Sequence, residues 1–165
     1  MRCESEQYGM REILAESVAG RGAHITFRQS LEEFPPDRAG DRVDGVAHTV
    51  WTLVWHMNEV IRDIIDYVDD PEGYTAKEYP TGYWPESYEP RSEDEWHQKV
   101  AEVEEAIDLV KGWLTDELRD LLAPIPGTPG HTLFRQALLV IDHNSYHIGQ
   151  IVDLRMLLGI PVQDW

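Results

Sequence analysis

The stretch Val50-Trp51-Thr52-Leu53-Val54-Trp55-His56-Met57-Asn58-Glu59-Val60-Ile61-Arg62-Asp63-Ile64-Ile65-Asp66-Tyr67-Val68 places its apolar residues at i, i+3, i+4 spacing, and Val46 extends the row upstream. That period fits the 3.6-residue turn of an α-helix and not the two-residue alternation of a strand. A helix is expected from about Gly45 to Val68, with Asp44 as its N-cap and Asp69-Asp70-Pro71-Glu72-Gly73 as its stop.

Three further segments carry the same period. The first runs from about Glu6 to Phe34, with Ile13, Leu14, Val18, Ile25, Phe27 and Leu31 apolar and Pro35-Pro36 at its end. Gly20 and Gly22 weaken its middle, where a kink or break is expected. Another runs from about Glu93 to Leu122, where Ser92 and Glu95 have capping-box spacing. Its apolar stripe is Trp96, Val100, Val103, Ile107, Val110 and Leu114, and Pro124 closes it. The last runs from about His131 to Leu158, with Leu133, Ala137, Val140, Ile151 and Leu154 on one face and Gly159 as C′ residue. Four helices with nothing strand-like between them predict an all-α four-helix bundle. The link between the second and third helices holds Tyr74, Tyr79, Tyr83, Trp84, Pro85 and Tyr88. At about 20 residues it is too long and too aromatic for a slack tether. It is expected to pack across a bundle end, or to cross over so that those two helices run parallel.

At 165 residues the chain is expected to form one domain, over 1–165. Fourteen Lys and Arg against 31 Asp and Glu leave a formal charge of −17. Nucleic-acid backbones and anionic membrane surfaces both reward positive charge, so neither is an expected partner. No run approaches the ~20 apolar residues of a membrane span, and Met1-Arg2-Cys3-Glu4-Ser5-Glu6 lacks the apolar core of a signal peptide. Cys3 is the one cysteine and has no internal disulfide partner. A cytoplasmic location follows as an expectation. Lysine occurs only at Lys77, Lys99 and Lys111; an acidic, lysine-poor surface suits good solvation, or a host of high internal salt.

His143 and His147 lie four residues apart in Asp142-His143-Asn144-Ser145-Tyr146-His147. On a helix they stand about 40° and ~6 Å apart, on the face of Val140, Ile151 and Leu154. Two such imidazoles either share a metal ion or bond to a neighbouring helix. His56, on the inward side of the second helix, supplies a third. Three histidines with an open position form the donor set of a catalytic rather than a structural metal. The set suits a divalent ion such as Zn, Ni, Fe or Mn and does not choose among them. Asp142, Asn144 and Gln150 flank the pair, placed to fix imidazole tautomers. Glu59, one turn from His56, is the candidate base for a bound water. His48, His97 and His131 are expected outside the site, His24 could reach it but is expected on the surface or in the core, and Trp84 could border a pocket. No glycine-rich phosphate loop, Gly-x-Ser-x-Gly elbow or Cys-x-x-Cys pair is present.

Trp51 through Met57, Tyr83-Trp84-Pro85, Trp96, and the run from Asp142 to Ile151 continuing through Leu154-Arg155 to Leu158-Gly159 together resemble the DinB/YfiT-like superfamily of metalloenzymes. The resemblance covers roughly residues 10–160 and is densest in the Asp-His-Asn-x-x-His-x-x-Gln stretch. It implies an up-down-down-up bundle, a homodimer, and a divalent metal held by His56, His143 and His147. Some relatives transfer or isomerise with bacillithiol, mycothiol or related low-molecular-weight thiols, which the metal is thought to hold as thiolate. The expected function is a metal-dependent enzyme acting on a small molecule, most concretely a low-molecular-weight-thiol S-transferase. The alternatives are metal-assisted hydrolysis at the same site and a non-catalytic dimeric binding module. A carboxylate-bearing thiol would need a local basic patch, for which Arg28, Arg62, Arg135 and Arg155 are the candidates.

Overall fold

The computed structural model describes residues 4–162; Cys3 lies outside them. Its helices are α1 (Glu4–Val18), α2 (Phe27–Ser30), α3 (Val50–Asp69), α4 (Glu93–Thr115) and α5 (Leu133–Leu157), with 3-10 turns at Pro36–Arg38 and Thr81–Tyr83. No strand occurs among the described residues; one isolated bridge joins Pro124 to Thr132. The four long helices pack as a bundle. α1 and α3 each lie against both α4 and α5, and α2 rests on α5.

The apolar rows close the core as their spacing requires. Leu53, Val54, Met57 and Ile61 of α3, Val103, Val110 and Leu114 of α4, and Val140, Ile151 and Leu154 of α5 are all buried. Val60 and Ile64 lie one step round α3 and are only half-buried. They share their face with His56, which turns toward a cavity rather than the centre of the bundle.

Several helix ends differ from expectation. The first helix does not reach Phe34: α1 stops at Val18, and Gly20 (φ 78°) and Gly22 (φ 147°) take left-handed backbone. Glycine alone enters that region without strain, so the chain turns there and restarts at α2. Thr26 caps α2 through a reciprocal box with Gln29. The second helix begins at Val50 and not Gly45, and its cap is Thr49 rather than Asp44. Thr49 and Thr52 exchange backbone-to-hydroxyl bonds of 3.2 and 3.0 Å. α4 ends at Thr115 instead of Leu122, because Asp116 and Asp120 accept from the backbone N–H groups of Leu118 and Leu122 and fold the chain into local turns. Ser92 caps α4 through Glu95 N–H, while the Glu95 carboxylate accepts from Arg91 N–H, one residue beyond a capping box. At the end of α5, Gly159 (φ 73°) sits at C′ as expected, with Gly159 and Ile160 donating to Met156 O and Arg155 O.

Arg155 is 2% exposed. Its guanidinium donates to the carbonyls of Ser30, Glu32, Ile160 and Pro161, at 2.7 to 3.2 Å. It ties the end of α2 and the C-terminal segment to α5, and it is not part of a surface patch. The aromatic segment between α3 and α4 packs onto α3: Tyr74 and Tyr83 both donate their hydroxyl to Asp63, and Thr49 donates to Tyr88 O. Among the described residues no helix is long and apolar enough to cross a membrane.

Candidate metal centre

His56 comes from α3, and His143 and His147 from successive turns of α5, which packs against α3. One ring nitrogen from each lies within 4.8 Å of the others, the one such His/Cys/Asp/Glu group among the described residues. The ring centroids are 4.4 to 4.9 Å apart. His56 Nε2 and His143 Nε2 stand 3.0 Å from each other. Two imidazoles on one tetrahedral ion, at bond lengths near 2.05 Å, hold their nitrogens about 3.3 Å apart. At 3.0 Å the pair is at N–H···N hydrogen-bond distance and close to the spacing that two ligands of one ion require.

Two of the outward nitrogens are held in place. His56 Nδ1 is 2.8 Å from Tyr83 O. A carbonyl only accepts, so Nδ1 carries the proton and Nε2 keeps its lone pair. His147 Nδ1 is 2.7 Å from Gln150 Oε1. The Gln150 amide is itself oriented, since its Nε2 donates to the Tyr146 hydroxyl. His147 Nε2 therefore also keeps its lone pair. His143 Nδ1 is buried without a hydrogen-bond partner, as are both polar atoms of Asn144 beside it.

Burial is the main cause of a lowered pKa at all three rings. It takes His143 to about 3, helped by the neighbouring His147 and His56. It takes His147 to about 4 against the raising effect of Gln150. It lowers His56 as well, against the bond to Tyr83 O. At neutral pH all three imidazoles are uncharged, the form that binds metal. Three neutral donors, two with preset lone pairs and one buried ring that bonds no protein group at Nδ1, fit a divalent ion.

Trp84 stacks on His56 with centroids 3.9 Å apart and planes 4° from parallel. It also stacks on His48 at 4.2 Å. It thus fixes the ring plane of His56 as well as bordering the pocket. A cavity of about 770 Å³ opens beside the histidines, within the range of small-molecule sites. Val60, Ile64 and Leu139 supply apolar wall, and Trp84, Tyr83 and Tyr146 supply rings.

The other histidines lie elsewhere. His48 touches Trp84 and is not in the ligand group. His24 bonds Ile25 O and Ser145 Oγ, His97 pairs with Glu93, and His131 bonds the Tyr67 hydroxyl. Glu59 forms an ion pair with Lys77. Lys77 lines the cavity and Glu59 does not; the carboxylates on its wall are Asp63 and Asp142. Of the four candidate arginines, Arg28 pairs with Glu104, Arg62 with Glu105 and Arg155 is buried. Neither they nor Arg135 line the cavity, where Lys77 is the only lysine or arginine among the lining residues.

Asp63, with the two phenols it binds, was missed in the sequence. Its signal was present: it follows His56 by seven residues, two turns along the same face of α3. No curated protein and no solved structure matches the chain. A family model described as the DinB superfamily matches residues 22–151, and the chain belongs to that superfamily.

Proposed function

We propose that this chain is a metal-dependent enzyme in which His56, His143 and His147 hold a divalent ion at the wall of the cavity, leaving a coordination position for the nucleophile of a small molecule. The convergence of three neutral imidazoles, with two Nε2 atoms 3.0 Å apart, carries this reading. Such an ion acts as a Lewis acid that lowers the pKa of a thiol or water. Tyr83 O and Gln150 Oε1 hold the Nδ1 protons of His56 and His147, and so aim their lone pairs inward. Trp84 holds the His56 ring in plane. Val60, Ile64 and Leu139 present apolar surface to the substrate.

Between nucleophiles, intrinsic acidity supports a thiol. A free thiol ionises near pH 8.5 and water near 15.7, so water needs the help of a base far more. Glu59, the expected base, is paired with Lys77, and Asp63 lies about 10 Å along α3 from His56; Asp142, beside His143, is the one wall carboxylate near the histidines. Transfer of a small thiol to an electrophile is thus the preferred reaction, and the absence of arginine from the cavity wall points away from a carboxylate-rich thiol. Family membership supports an up-down-down-up bundle with the segment after α3 as its crossover, and a homodimer; one domain over 1–165 and a cytoplasmic location belong to the same reading. Exposed Leu138, Met156 and Leu157 on α5 are apolar surface that a second copy would cover.

Metal content by plasma mass spectrometry, on tag-free protein and on His143→Ala, tests the reading. The expected result is about one divalent ion per chain, lost in the variant, with thiol consumption that requires both ion and electrophile. No ion in either protein after incubation with Zn, Ni and Mn overturns it in favour of a binding module. Turnover without thiol would make the protein a hydrolase. Light scattering of the same sample returns 19.0 kDa if the chain is a monomer.

A further inference from the structure

The charged residues on the cavity wall are Asp63, Asp142 and Lys77. Lys77 is already neutralised, since its ammonium binds the Glu59 carboxylate. The Asp142 carboxylate is exposed and forms neither a hydrogen bond nor an ion pair with a described residue. Asp63 is bonded, but only by neutral groups, the hydroxyls of Tyr74 and Tyr83 at 3.0 to 3.1 Å. Burial, and then the Asp63 carboxylate itself, raise both phenols above their ordinary range. Tyr74 and Tyr83 therefore stay protonated donors, and the negative charge of this trio rests on Asp63. A carboxylate offers about four lone-pair sites, and two phenols leave at least one of them open.

Two uncompensated carboxylates on the wall of an apolar and aromatic cavity discriminate among ligands. An anion would meet both of them with no free cation to offset the repulsion. A neutral apolar molecule would cover them and strip their water without replacing it. A cation is attracted by both charges and by the π faces of the ring-bearing wall, where Tyr79, Tyr83 and Tyr146 stand. The protein's own cation already sits there: Lys77 Nζ is 5.8 Å from the centroid of the Tyr83 ring.

We infer that the cavity selects a small organic cation, an ammonium group on an apolar body, with the cationic end toward Asp63 and the Asp142 charge adding to the attraction. Asp63 lies two turns along α3 from His56, or about 10 Å. The positive charge therefore binds about 10 Å from the three histidines when it is seated at Asp63, leaving the other end of the molecule to reach them. The net charge of −17 adds a general attraction for cations at low ionic strength. This inference rests on the reading of the cavity as the substrate site.

Benzyltrimethylammonium is a suitable probe, because it is permanently charged and has no lone pair to give a metal. Its binding to the full chain is measured by calorimetry beside benzyl alcohol and 3-phenylpropionate, with and without one equivalent of Zn. The cation should bind at least about tenfold more tightly than either comparator in the absence of Zn, and should weaken as salt is added. Asp142→Asn should weaken the cation by about threefold to tenfold and leave benzyl alcohol unchanged. Asp63→Asn should do the same. Because Asp63 also anchors two tyrosines, Asp142→Asn is the deciding variant should Asp63→Asn fail to fold. Equal or tighter binding of the alcohol or the carboxylate without Zn, or an Asp142→Asn variant that binds the cation as wild type does, overturns the inference. The two readings fail separately: Zn that does not bind sinks the metal site while cation selectivity stands, and Zn binding without cation selectivity does the reverse.

Discussion

Acidifying the protein from pH 7 to pH 5, with divalent ions removed by a chelator, should destabilise it through His143 and His147. Burial holds these rings at about 3 and about 4, against an ordinary imidazole value of 6.5. In the unfolded chain both take up a proton as the pH falls through about 6.5. In the folded chain His147 does so only near 4, and His143 lower still. Between those limits the unfolded state binds more protons, so stability rises with pH. The contribution is complete above about 6.5 and is lost as the pH drops toward the folded values. At pH 5 the unfolded rings sit 1.5 pH units below their pKa, which at about 1.4 kcal/mol per unit is about 2 kcal/mol for each histidine. The cavity is open to solvent, and screening leaves roughly half of that, about 2 kcal/mol for the pair. The assay is urea unfolding followed by tryptophan fluorescence at pH 7, 6 and 5. The same series on the His143→Gln, His147→Gln double variant removes the contribution of the 31 acidic residues, which titrate in both proteins. Wild type should lose about 2 kcal/mol more than the variant between pH 7 and pH 5. Parallel curves would refute the reasoning.

Gln150→Ala frees His147 Nδ1 from its acceptor. It should lower divalent-ion affinity by about tenfold to a hundredfold in competition with a chromophoric chelator, while helix content is unchanged; equal affinity would mean that Gln150 does not orient the ligand. Arg155→Met leaves four backbone carbonyls without their donor. It should cost about 3 kcal/mol in urea unfolding, and a loss below about 1 kcal/mol would show that those carbonyls find other partners.

Regular spacing explains what could be read in advance. Leu53, Val54, Met57 and Ile61 are all buried because one face of α3 meets the bundle, and His56 comes with that helix. His143 and His147 are legible for the same reason, as one turn of one helix brings them together. The breaks were harder. Ile25, Phe27 and Leu31 continue a helical row on paper, yet two glycines in left-handed backbone turn the chain before they are reached. Thr49 was overlooked as a cap because its partner is another threonine rather than a Glu or Gln. Glu59 and Asp63 exchange importance because long-range partners decide the matter. Lys77 captures the first, and Tyr74 and Tyr83 turn the second into a fixed element of the wall. Those partners come from a segment with no periodicity to place them. Arg155 read as a surface charge because nothing local shows that chain ends will wrap their carbonyls around it.

The Tyr83 carbonyl and the Trp84 ring both come from the segment between α3 and α4, and both grip His56. The same two residues face the cavity. Under the proposed function, substrate admission and coordination geometry would therefore be one mechanical degree of freedom. Any outward swing of this segment wide enough to pass a bulky molecule strips His56 of the acceptor at Nδ1 and the ring at its face. A larger aperture comes only with a softer ligand, and stiffening the ligand narrows the aperture. Substitutions that widen the mouth for a new substrate will consequently show first as a change in how firmly the ion is held.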